Sequence, residues 1–193
     1  MNFTTEGAET FEALADAYIA LGGDKSPDNF QIYKDTKDPQ LQVIFLSRLN
    51  DRASEVSYKL MAKIDADLNV TNAKNPEIGQ RWFPLSIQSK YEPAFNQAQH
   101  YVSYQGRMKY ILPVYSALVQ NGRRDLAYQW FILNQNFYHP IALAKVRSIV
   151  LNGGAAALSK GDQELLERAA SQIKRHAVVY WSKTCFLDLL IVY

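Results

Sequence analysis

The chain is 193 residues long, 48% hydrophobic and 21% charged, with a formal net charge of +2. That size suits one domain, or one domain with an appendage, built round a real core. So small a charge, with no basic run interleaved with aromatics, argues against a nucleic-acid partner.

Helical periodicity dominates from the start. Phe11, Leu14, Ala15, Tyr18 and Ile19 recur at helical spacing and stop at Gly22-Gly23, a C-cap signature. The stretch to Thr36, with Pro27, Asp28 and Asn29, reads as a loop. Asp38-Pro39 is an N-cap followed by proline at the first helical position, and Leu41, Phe45, Leu46 and Leu49 supply that helix's apolar stripe. A third helix carries Val56, Leu60, Met61, Ile64 and Leu68.

Asn75-Pro76-Glu77 repeats the cap-proline signature before Ile78, Trp82, Phe83 and Leu85. Pro84 falls inside that pattern and predicts a kink or an early break. Glu92-Pro93 opens a fifth helix, closed by Gly106. A sixth runs from near Arg107 to Asn121-Gly122, with Pro113 inside it, and a seventh from Arg123 to about Phe137. His139-Pro140 opens an eighth that ends at Asn152-Gly153-Gly154.

Short connections make neighbouring helices antiparallel and favour paired layers stacked as an α-solenoid. No tandem period is present, and a compact helical bundle is the structural alternative. Residues 1–150 read as one helical domain. Residues 151–193 read as a C-terminal helical extension: Leu165, Leu166, Ala169, Ile173 and Ala177 are amphipathic, and the chain runs on into an apolar terminus from Cys185 to Tyr193. Such a terminus is expected to pack on the domain, on a second copy or on a partner.

Much chemistry is missing. The three histidines, His100, His139 and His176, are isolated, and no His-Glu-x-x-His pair exists to bring ligands together on zinc. Neither a nucleophile elbow nor a phosphate or dinucleotide loop occurs. No catalytic residue, metal ligand or cofactor is therefore expected in this chain. His139 reads as a cap or packing residue, Asp65 and Asp67 as solvated, and the lone Cys185 as a small hydrophobe with no disulfide partner. Met1 to Ala8 lacks the features of a signal peptide, and no apolar run approaches the roughly 20 residues of a membrane span. A cytoplasmic location with no membrane partner is the expectation.

One constellation stands out. Arg107 and Lys109 follow Gly106 at a helix start, where backbone N–H groups lack intrahelical acceptors and the dipole is positive. An anion placed there meets those donors and two side-chain cations, the arginine able to grip a carboxylate through two parallel bonds. The bland alternative is an exposed pair that opposes the dipole and meets only solvent.

The run Asn75-Pro76-Glu77-Ile78-Gly79-Gln80-Arg81-Trp82-Phe83-Pro84-Leu85-Ser86-Ile87-Gln88-Ser89-Lys90, followed by Gln105-Gly106-Arg107-Met108-Lys109-Tyr110, resembles the C-terminal helical domain of the leukotriene A-4 hydrolase group of zinc aminopeptidases. Tyr138-His139-Pro140-Ile141 also fits, and the likeness spans about Ala8 to Ile149. It implies an all-α, two-layered, right-handed α-α superhelix of the armadillo or HEAT type, with eight to nine helices. It also implies that Arg107 and Lys109 hold a peptide's C-terminal carboxylate, with zinc on a separate catalytic domain. The expected function is thus a non-catalytic recognition and scaffold domain of such an aminopeptidase, with that catalytic domain and a peptide as partners. The alternative is a helical interaction module that has lost the peptidase role.

Overall fold

The computed structural model describes residues 3–152. Within them lie nine α-helices: α1 (Phe3–Leu21), α2 (Ile32–Asp35), α3 (Pro39–Asp51), α4 (Tyr58–Leu68), α5 (Pro76–Gln88), α6 (Phe95–Tyr104), α7 (Met108–Gln120), α8 (Arg124–Asn134) and α9 (Pro140–Asn152). Short 3-10 turns precede α4, α5 and α6. No strand occurs among the described residues. The extension read over 151–193, with Cys185 and His176, lies outside them apart from its first two residues.

Local chemistry sets most helix ends. Asp38 accepts a bond from the Gln40 N–H at 2.9 Å and Asn75 accepts one from the Glu77 N–H at 3.0 Å, each with proline next in the chain. Ser57 caps α4 through the Leu60 N–H at 3.2 Å, and His139 accepts from the Ile141 N–H at 3.3 Å, as a capping residue should. Gly23, at φ 88°, ends the turn after α1, where an added Cβ would stand 2.7 Å from the Lys59 carbonyl oxygen. Only glycine fits there.

Two expectations change. The loop before Thr36 contains the short helix α2, which buries Tyr33 against Phe11 and Phe45. Pro84 does not break α5, which continues four residues beyond it to Gln88. Trp82, Phe83, Leu85 and Ile87 are all buried on either side of the proline. Their packing outweighs the lost backbone bond, about 3 kcal/mol in an exposed helix.

Packing follows a simple order. α1, α3, α5, α7 and α9 each lie against the next in that series, while α6 and α8 pack on one another. One continuous core runs between them, with Tyr18, Phe45, Trp82 and Tyr115 fully buried. The Tyr33 hydroxyl is buried there without a hydrogen-bond partner among the described residues, whereas the tyrosines between α6 and α9 are paired. Tyr115 donates to the Tyr138 hydroxyl at 3.0 Å, and Tyr138 donates to the Val102 carbonyl at 2.8 Å, fastening α6, α7 and the entry to α9.

Candidate functional site

The first turn of α7 carries both predicted cations, and they are placed differently. Arg107 is the N-cap residue, with extended backbone at φ −83° and ψ 128°, and its side chain makes no capping bond. The guanidinium is exposed, lies 5.7 Å from the centre of the Tyr110 ring and has no ion pair among the described residues. The Met108 and Lys109 N–H groups precede the first helical bond, from the Tyr110 N–H to the Arg107 carbonyl at 2.9 Å. No acidic residue belongs to this turn.

Lys109 has a resident anion. Its ammonium stands 2.5 Å from Glu77 Oε1, supplied by the first turn of α5. The same oxygen accepts from the Tyr110 hydroxyl at 2.9 Å, and Glu77 Oε2 lies 3.3 Å from Arg81 Nη1. Arg81 is itself fixed by Ser47 Oγ at 2.8 Å and by the Glu77 carbonyl at 3.0 Å. Bonds from Lys109 above all, then from Tyr110 and Arg81, hold the Glu77 carboxyl below the ordinary glutamate range against the opposing effect of burial. At neutral pH the group is therefore an anion. Arg81 thus pairs with the Glu77 carboxylate.

Beside this cluster lies a groove of about 570 Å3, walled in part by Lys74, Phe83, Gln97, His100, Tyr101 and Tyr104. Neither Arg107 nor Lys109 lines it. Tyr101 connects the two regions: it stacks edge-on with Tyr110 at 6.4 Å and donates to the Pro76 carbonyl at 2.9 Å.

His100 is exposed against the Tyr104 ring, and the Nδ1 of His139 is engaged by its own helix. Among the described residues no three His, Cys, Asp or Glu side chains converge as a metal site would need. No described helix is long and apolar enough to cross a membrane.

Asp65 and Asp67 depart from the solvated reading. Asp65 accepts from the Thr71 N–H at 2.8 Å, the Thr71 hydroxyl at 2.7 Å and the Tyr91 hydroxyl at 3.0 Å. Asp67 accepts from Tyr18 at 3.0 Å and pairs with Lys63. Apart from Lys63, one turn back on α4, their partners lie outside that helix, which the spacing of the two acids within α4 does not reveal.

Comparison with known proteins gives consistent matches. The family model described as leukotriene A4 hydrolase, C-terminal, matches residues 38–150. A leucine aminopeptidase 2 of Yarrowia lipolytica is 29% identical over 105 residues, covering 51% of this chain and 16% of its own length. A leukotriene A-4 hydrolase homolog of Botryotinia fuckeliana is 35% identical over 78 residues, covering 40% and 12%. The leukotriene A-4 hydrolase of Xenopus laevis is 29% identical over 140 residues, covering 66% and 22%. The chain thus spans less than a quarter of the length of these relatives. No solved structure gives a significant match.

Proposed function

The chain belongs to the leukotriene A4 hydrolase C-terminal family, and from that premise we propose that it is a substrate-recognition and scaffold domain whose Arg107 and Lys109 turn meets a peptide's C-terminal carboxylate. In this reading the two-layered superhelix docks on a zinc-bearing catalytic domain carried elsewhere and closes one side of its cleft. The cytoplasm is its proposed location.

The observation that supports the reading is Arg107 itself. An exposed guanidinium beside unbonded first-turn N–H groups, with no acid on its own turn, is arranged to accept an anion. The test is binding of a fluorescently labelled tripeptide with a free carboxylate to the full chain. Arg107→Ala should weaken it about 10-fold or more, as loss of a charge-assisted bond implies. Equal affinity for the free acid and its C-terminal amide would sink the proposal.

A second reading, a helical interaction module, is favoured by Leu133, Phe137 and Ile141, large apolar side chains that are half exposed or more at the α8–α9 corner. It expects partner binding that survives Arg107→Ala, with no peptide affinity.

A further inference from the structure

The two cations of the α7 turn are unequal because one already has a carboxylate. Glu77 reaches from α5 to the Lys109 ammonium and takes a further bond from Tyr110, so it stands where an anionic ligand of that turn would stand. It also supplies the negative charge that α7 lacks within its own first turn. Three donors from two helices hold it, and its side chain is 27% exposed against 53% for Lys109. The ion pair is half open to water and so can exchange partners at modest cost.

We propose that Glu77 is the specificity-determining anion of this site, an internal carboxylate that occupies Lys109 and competes with an incoming peptide carboxylate for it. The proposal rests on the carboxylate-recognition reading and adds its regulation. Arg107 is then the cation that first engages the ligand, and Glu77 sets how much Lys109 adds. A scaffold-only role for Glu77 predicts no gain of binding on its removal; competition predicts one.

The experiment titrates the full chain with the labelled free-acid tripeptide and with its amide. Glu77→Gln keeps the shape and removes the charge. It should bind the free acid about 3- to 5-fold tighter and leave the amide unchanged, the scale of one partly exposed ion pair. If Glu77→Gln does not give the native circular dichroism, Glu77→Ser removes the same charge with a residue suited to a first helical turn, and the same gain is expected. Unchanged or weaker free-acid binding in a folded variant overturns the proposal. So does binding too weak to measure in both native chain and variant. Arg107→Ala separates the two levels. If it weakens free-acid binding while Glu77→Gln brings no gain, recognition stands and competition falls. If Arg107→Ala changes nothing, the recognition reading itself has failed.

Discussion

Gly79 and Tyr101 meet more closely than any side chain at position 79 allows. A Cβ on Gly79 would stand 2.6 Å from Tyr101 Cε2 and 3.0 Å from Phe83 Cε2. The Tyr101 ring therefore crosses α5 at its first turns, and its hydroxyl ties to the Pro76 carbonyl at 2.9 Å. This contact fixes the turn from which Glu77 reaches α7. It also relates the groove to the cation cluster.

Gly79→Ala should destabilise the chain. Helix propensity favours alanine by about 1 kcal/mol, but overpacking a buried contact costs about 1–3 kcal/mol. A net loss of up to about 2 kcal/mol is expected from urea denaturation. A variant as stable as the native chain would show that the ring moves aside freely.

Asp65 should prove a structural hub. It collects Thr71 and Tyr91, and the Thr71 hydroxyl in turn accepts the buried Trp82 indole N–H at 2.9 Å. Asp65→Ala strands these donors, a penalty of about 2–3 kcal/mol, and loosens Trp82. Lower urea midpoint together with red-shifted tryptophan emission is the expected result. Unchanged emission would place Trp82 outside the network.

These two cases mark what was legible in the chain. Caps are local, so Asp38-Pro39, Asn75-Pro76 and Gly22-Gly23 announced helix ends correctly. The apolar stripes of α3 and α4 likewise named residues that are buried, Phe45 and Ile64 among them. Four-residue α2 is shorter than any period can reveal. Pro84 leaves α5 unbroken because its cost is local while the burial that offsets it is tertiary. In the sequence Glu77 is only the residue after a cap-proline pair. Its partners Lys109 and Tyr110 lie 32 and 33 positions away, and only the packing of α5 on α7 joins them.

Lys90 holds φ 56° directly after α5, in the left-handed region that costs a side-chain-bearing residue about 1–2 kcal/mol. Lys90→Gly should stabilise the chain by about 0.5–1 kcal/mol, the larger entropy of unfolded glycine offsetting part of the relief. Thermal unfolding should shift upward by a few degrees. A downward shift would mean that the lysine side chain makes a compensating contact.

Acid should dissolve the clamp between α1 and α3. Asp16 receives a two-pronged bond from Arg48, at 2.9 Å on each oxygen, and a third from Arg52 at 2.8 Å. The Arg48 bond above all, with Arg52 adding to it against desolvation, lowers its pKa below the ordinary 3.8. A carboxylate depressed in the folded state binds its proton more weakly there than when unfolded. Its stabilisation is therefore complete above 3.8 and is lost as pH falls through the folded value. Asp16→Asn should be less stable than the native chain at neutral pH, by a modest amount because the pair is partly exposed and screened by salt. The gap should close in acid, where the native carboxylate is also neutral. Urea midpoints of both proteins from about pH 7 to about pH 2 test this, and a gap of constant size across that range would rule out the charge as its cause.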